Sequence, residues 1–474
     1  MLKAYELEGL LSLSGFVKGP ATALDYQATL NLKNFSAKGP NLKAKPVLNA
    51  DVQVNTDRLD HLTVDLKAPG TDLQFWAKVV SFTKPQAEFK IASEHGVDLD
   101  QWVEFPKKAA SLDRRSGVFE SDAFAAEDSK AKATASPAAD LDASLDSLRT
   151  NALLKEMAVE GDVSLAFVKA QNTKIDHILA KLQFKNLIAA LSGLSLQVFG
   201  GTVKGAFSTD LKPEHPNYTL KLEVSSLDMT KAAEAQFPTF KDTLSGQLST
   251  QIEGGGSSFN TEMAKKKLLM KGSFHLADAK FQSMDISKMV GEALSGSMGK
   301  IGDKIPGLKG KKISPPGSIN GDTRYEMVSA NFTIQNGVLD APDFYAKSAP
   351  KKGIDLKGAT KMGLIDQALD AKWEVIDSQH ITGADQLSVD LGGKTVKNIL
   401  AKSENDPVIL PITVGCKWSA PCPNYKDVPE FLAGIALSRV THGAGEAAKK
   451  QVTDAVQNAV KNNLGSGLKK IFGH

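Results

Sequence analysis

Apolar and polar residues alternate with period two through most of the chain, and no other feature restricts its fold so sharply. Tyr26, Ala28, Leu30 and Leu32 alternate with Gln27, Thr29, Asn31 and Lys33. Ala87, Phe89 and Ile91 alternate with Glu88 and Lys90, and Tyr218, Leu220, Leu222 and Val224 with Thr219, Lys221 and Glu223. Leu244, Leu248 and Ile252 likewise share one face. Successive strand side chains point to opposite faces, so each run reads as a strand with one apolar side. Few intervals are long enough for the crossover helices that parallel neighbours need, so the sheet is expected to be mostly antiparallel.

Two hairpins test this reading. In GLSLQVFGGTVKGAFSTDL, with Gly200 and Gly201 as the central turn residues, Val198 faces Val203, Leu196 faces Gly205 and Leu194 faces Phe207. Gln197 then meets Lys204, and Ser195 meets Ala206, on the other face. Glycine reaches the positive φ of two-residue hairpin turns without a Cβ clash. Phe199, beside the turn, breaks the alternation. In NFTIQNGVLDAPD, an Asn336–Gly337 turn sets Ile334 opposite Leu339, Phe332 opposite Ala341 and Thr333 opposite Asp340. Asn-Gly between alternating runs is a strong hairpin signal.

A short phrase recurs after strands, in VDLDQWVEF (97–105), LDMTKAAEAQF (227–237) and MDISKMVGEAL (284–294). Asp100, Thr230 and Ser287 are read as N-caps of short helices, because a side-chain oxygen there can accept an orphan amide of the first turn. Residues 107–140 are rich in Ala, Ser, Asp and Lys and are read as a disordered linker or insertion. Leu141, Leu145 and Leu148 then have helical spacing. Residues 296–318 form a Gly/Pro/Lys loop, and Val452, Val456, Val460 and Leu464 make an i, i+4 helical stripe. The chain thus divides into a β block over 1–106, the linker 107–140, a second β region over 141–426 and a helical segment over 427–474.

Chemistry is sparse. The eight histidines stand at no ligand spacing from one another or from cysteine, so no metal and no cofactor is expected. There is no Walker A loop and no nucleophile elbow. GAGEAA (443–448) imitates a dinucleotide fingerprint, but its surroundings read as helix rather than βαβ. Acidic residues alternate with Lys on solvent faces, and no enzyme is expected. The 57 basic and 54 acidic side chains nearly balance, which disfavours a dedicated nucleic-acid binder. The Lys-rich loop with Lys300, Lys304, Lys309, Lys311 and Lys312 reads as solvated, with lipid headgroups as the other reading. Cys416 and Cys422, in CKWSAPC, are either a local disulfide or two unpaired thiols. No secretory signal or membrane-spanning helix is read, so the chain is either cytosolic or the body of a longer protein.

The segment from about Leu145 to Leu211 resembles the C-terminal part of the AsmA family. The resemblance lies in SLDSLRTNALLKEM, EGDVSLAFVKA, HILAKLQFKN and FGGTVKGAFSTDL, taken in that order. It continues through YTLKLEVSSLDMTKA, LSGQLSTQIEGGGSS, LLMKGSFHLADAKFQSMDI, NFTIQNGVLDAPDFYAKS and GIDLKG to PVILPITVGCKW, covering roughly 145–426. The family implies a periplasmic protein of the Gram-negative envelope, anchored in the inner membrane by an N-terminal helix that this sequence lacks. It also implies a role in outer-membrane biogenesis, the larger relatives carrying phospholipid in long β troughs.

Taken with the alternation, this gives an expected fold: mainly β, a long curved antiparallel meander forming an open, taco-like groove, with short capping helices and a C-terminal helix. Leu194, Leu196, Val198, Val203, Phe207, Leu220, Leu222, Ile334 and Leu339 are the groove-lining candidates, phospholipid acyl chains the ligand. The plainer reading is that these residues pack against a helix or second sheet. A different functional class is a non-enzymatic assembly factor, engaging outer-membrane proteins through exposed sheet edges.

Overall fold

The computed structural model describes residues 6–20, 24–105, 141–171, 173–236, 244–281, 323–349, 354–378, 389–390, 395–396, 406–417 and 420–424. The linker 107–140, the Lys-rich loop, the third capped phrase with Ser287 and the C-terminal helical stripe all lie outside these residues. The fold is mainly β, a long antiparallel meander with few short helices. Its strands divide between two compact units, residues 1–239, 248–273 and 333–337 in one, and 240–247, 274–332 and 338–474 in the other.

The first unit opens with β1 (Glu6–Lys18), β2 (Asp25–Lys38), β3 (Val47–Asn55), β4 (Arg58–Ala68), β5 (Thr71–Val79) and β6 (Gln86–Ser93). Each pairs antiparallel with the next. A two-residue strand β7 (Val97–Asp98), a one-turn helix α1 (Leu99–Trp102) and short helices α2 (Leu141–Ser144), α3 (Asp146–Thr150) and α4 (Ala152–Glu156) follow. Next comes β8 (Ala158–Ala170), which lies parallel to β6 and to β7, a break in the otherwise antiparallel order. The long connection between them makes that possible, since parallel neighbours need a crossover. Antiparallel pairing resumes through β9 (Thr173–Lys185), β10 (Ile188–Val198), β11 (Gly201–Asp210) and β12 (Asn217–Asp228), which leads into α5 (Met229–Gln236).

The β10–β11 register differs from the sequence expectation. Leu196 faces Val203, Leu194 faces Gly205 and Val198 faces Gly201, so the central turn residues are Phe199 and Gly200. Both have positive φ, 50° and 78°, as a type I′ turn requires. The glycine pair thus supplies one turn residue and the first residue of the next strand. Phe199 breaks the alternation because it is in the turn. The correction moves the register by two residues, and a shift of two preserves every face. At Asn336–Gly337 the turn stands where expected, with φ of 53° and 74°.

The helix caps also differ. Asp98, not Asp100, caps α1, its carboxylate accepting the Asp100 amide. Asp228, not Thr230, accepts the amides of Thr230 and Lys231 at the start of α5. Each helix begins directly after the apolar-Asp pair, so this aspartate sits where a cap can reach the second and third amides.

Strands β13 (Leu244–Ser257), β14 (Leu269–Phe281) and β15 (Thr323–Gln335) follow, with α6 (Thr261–Lys267) between the first two. The second unit continues with β16 (Val338–Ser348), β17 (Asp355–Gly363) and β18 (Leu369–Asp377). β19 (Val389–Asp390) and β20 (Thr395–Val396) form a separate small ladder; β21 (Val408–Lys417) pairs with β18, and β22 (Ala420–Asn424) with β21. Here one face is closed. Ala346, Leu356, Val375 and Leu410 are consecutive cross-strand partners, each no more than 3% exposed. Trp373 lies opposite Gly358, stacks on Phe344 at 5.4 Å and donates its indole N–H to Thr360 Oγ1. Cys416 on β21 is disulfide-bonded, and the ladder sets Cys422, the chain's other cysteine, opposite Gly415.

Gly161 on β8 lies opposite Phe89, and a Cβ there would stand 2.3 Å from the Phe89 ring. The ring uses the missing side chain's space. Replacing Gly161 by Val should cost about 1–3 kcal/mol through overpacking. Denaturant melts should show a lower midpoint for Gly161→Val, largely removed in a Phe89→Ala background.

Candidate functional site

Cross-strand register in the first unit aligns side chains of one kind into rows. Leu13, Leu30, Val52, Leu62, Ala77, Phe89, Gly161, Leu182, Leu191, Phe207 and Leu220 are successive partners from β1 to β12, β7 apart. Beside them Leu11, Leu32, Ala50, Val64, Phe75, Ile91, Val163 and Ala180 form a second row from β1 to β9. A third begins at Ala28 and runs through Val54, Leu59, Val79, Ala87, Val159, Phe184 and Ala189 to Thr209 and Tyr218. One position over, on the opposite face, the partners are Ser12, Asn31, Asp51, Thr63, Trp76, Lys90, Asp162, Lys181 and Ser192. One face is therefore apolar over eleven strands, while the other is mainly polar, with Leu10, Phe16, Trp76 and Leu179 as exceptions. At about 4.8 Å per strand the longest row extends some 48 Å along the sheet.

The apolar face is not sealed. Apart from Gly161, every residue of the longest row is half-buried or exposed. Among the described residues the buried apolar side chains of this unit include Val97, Leu187, Val224, Ala232 and Ala233, none of them in the three rows, whose one buried side chain is Thr209. Side chains on a face packed against a second layer would instead fall to the exposure seen for Leu356 or Val375. Among the described residues each strand packs against its ladder neighbours, with α1 on β8 and α5 on β12.

Of the nine groove candidates, Leu194, Leu196, Val198, Val203, Phe207, Leu220 and Leu222 share this face through their register, and all are half-buried. Ile334, at the end of β15, and Leu339, on β16, are also half-buried, but Leu339 belongs to the second unit. Sequence reasoning missed the larger part of the strip, on β1 to β9. The Pro69–Gly70 turn would have disclosed some of it, because Ala68 pairs with Thr71 and that register sets Leu66 opposite Leu73 and Val64 opposite Phe75.

Polar clusters brace both ends of the strands. At one end Thr71 Oγ1 accepts the Asp98 amide at 3.0 Å and the Trp102 indole N–H at 2.9 Å. Asp98 also accepts from Gln101 and pairs with Lys169 at 3.4 Å. Burial pushes its carboxyl up, but these bonds outweigh it and hold the group below the usual carboxylate range. The chain then crosses to the β2–β3 connection, where Lys43 donates to Trp102 O and Glu104 to Asn41 O.

At the other end α2 is held against the β11–β12 connection and the residues after β13. Asp142, almost fully buried, accepts from the Phe259 amide at 2.7 Å on Oδ1 and from Ser258 Oγ on Oδ2, which His215 Nδ1 also reaches at 3.0 Å. Arg149 donates to the carbonyls of Leu211 and Glu214, both at 2.8 Å, and of Asp142. From there α4 enters β8, so the segment spans the ends of β9, β10 and β11. Ser258 and His215 both address the carboxylate, whereas a nucleophilic triad places the imidazole between serine and acid. The cluster fastens chain to chain. No three described His, Cys, Asp or Glu side chains group to hold a metal ion, and no described helix is long and apolar enough to cross a membrane.

Burial pushes the Asp142 carboxyl up, yet hydrogen bonds from Ser258, Phe259 and His215 win and lower its pKa. A carboxyl with a folded-state pKa below its unfolded value of about 3.9 stabilises the fold fully above that value. The contribution is lost as pH falls through the folded-state pKa. Asp142→Asn should destabilise the first unit by about 1–3 kcal/mol at neutral pH. Its melting point should also depend less on pH below 5 than that of the unsubstituted protein, a difference that calorimetry across pH will read. Comparison with protein families, curated proteins and solved structures finds no match for this chain.

Proposed function

We propose that this chain is an AsmA-like periplasmic protein, associated with the inner membrane, that binds or transfers phospholipid and so supports outer-membrane biogenesis. One observation carries the reading: three parallel rows of apolar side chains, continuous over many strands, remain half-open to solvent. A surface of that kind lowers its free energy by covering itself, at about 25 cal/mol per Å² of apolar area removed from water. Each methylene laid on it is worth about 0.8 kcal/mol. Acyl chains match its length and its lack of polar groups, since an extended hydrocarbon needs no hydrogen-bonding partner. Headgroups would sit toward solvent or the polar braces at the strand ends. The order of strand phrases from Leu145 onward supports the AsmA assignment, and the reaction is transfer without covalent chemistry.

The test is uptake. The purified protein, stripped of lipid, is incubated with phosphatidylethanolamine–phosphatidylglycerol vesicles, repurified and extracted for mass spectrometry. At least one phospholipid per chain is expected. Val52→Glu combined with Leu191→Glu should lower uptake several-fold while circular dichroism is unchanged, both positions being half-buried. Absence of bound phospholipid in the unsubstituted protein contradicts the proposal. Crosslinks to unfolded outer-membrane barrel proteins without stoichiometric lipid would favour the assembly-factor reading instead.

A further inference from the structure

β1 differs from every other strand of the first unit. Among the described residues it pairs with β2 alone, and all thirteen of its residues are exposed. Leu10, Leu13 and Val17 are 71%, 70% and 68% exposed, and Leu7, Leu11 and Phe16 add to the apolar surface. A long edge strand of this composition carries unpaired backbone groups and invites another strand; edges meant to stay free carry inward charges, proline or a short strand. The bulge between Glu8 and Leu10 interrupts the ladder to β2 but leaves the strand thirteen residues long.

The apolar-face residues and the terminal charges of β1 are self-complementary. Laid antiparallel on a second copy of itself with Ser12 on the two-fold axis, Leu11 meets Leu13, Leu7 meets Val17, and Glu6 meets Lys18, although the same register sets Glu8 opposite Phe16 and Leu10 opposite Ser14. Gly9, which lies opposite the extra residue of the β2 bulge, meets Gly15 and so faces no side chain. Opposite charges and matched apolar pairs directly across an antiparallel ladder are stabilising, and a two-fold interface brings each pair in twice. Glu6 and Lys18 are held here only in exposed pairs, with Lys38 at 3.8 Å and Asp25 at 3.3 Å, and remain available. We infer that β1 is a homodimerisation edge, two copies pairing antiparallel through it. A two-fold axis normal to the sheet keeps the apolar faces on one side, so the row ending at Leu13 in one copy continues through Leu11 of the second. The pairing needs no lipid; only its consequence, an apolar strip of doubled length, rests on the reading above.

The test uses the full chain without lipid. Light scattering should give twice the chain mass at high concentration. Ser12→Cys should crosslink to a dimer under mild oxidation, whereas Thr29→Cys on β2 should not. Glu6→Lys should weaken the dimer several-fold, and adding Lys18→Glu should restore it. A monomer at every concentration overturns the inference, as does a dimer insensitive to Glu6→Lys whose Ser12→Cys variant fails to crosslink. Because no lipid is present, failure here is distinct from failure of lipid uptake.

Discussion

Strand register is the constraint on which the rest of the structure depends. Side chains alternate with period two, so a slip of one residue in any ladder would place Asn31, Thr63 or Lys90 where Leu30, Leu62 or Phe89 now stand. The first unit contains no such slip across eleven strands, even where β6 and β8 join in parallel after a long connection. Its bulges, such as the one between Leu191 and Leu194, return the next apolar residue to the same face. Function is read from that continuity. A face that changed character at one ladder would offer a set of separate patches, not a path.

The same alternation has two outcomes in this chain. In the second unit it produces an ordinary core, with Ala346, Leu356, Val375 and Leu410 withdrawn from water. In the first unit, rows of equal regularity stay half-open. The apolar pattern of a strand states that one face wants cover; it does not state whether protein or ligand supplies it. The braces at the strand ends fit the open case. Asp98 with Thr71 and Lys169, and Asp142 with Ser258 and His215, tie neighbouring connections together by charged and polar bonds. They stabilise strand ends without filling the face between them, work that a packed second layer would otherwise perform.

Fold class was legible because it rests on local pattern: alternation, turn glycines and the shortage of long helical intervals. The Asn336–Gly337 turn was legible for the same reason. Gly200–Gly201 misled because two glycines offer positive φ at either of two frames, and the break at Phe199 was the clue to the right one. The helix caps were misread by two residues because Asp98 and Asp228 close a strand and open a helix at once, so the phrase fits both frames. The groove candidates lie on the two hairpins and on the alternating run of Tyr218 to Val224; the β1–β6 half of the strip needed the parallel join to β8, which no local signal announces. The Asp142 anchor was illegible, since Ser258 and His215 are brought to it only by the long-range topology.

The central claim is that acyl chains lie on the apolar rows of the first unit. A photoreactive residue at Leu62, irradiated with phospholipid-loaded protein, tests it against the same residue at the neighbouring Thr63. Lipid adducts at Leu62 and not at Thr63 are the predicted result. Equal labelling at both positions, or adducts at Leu62 only to the protein's own side chains, would contradict it.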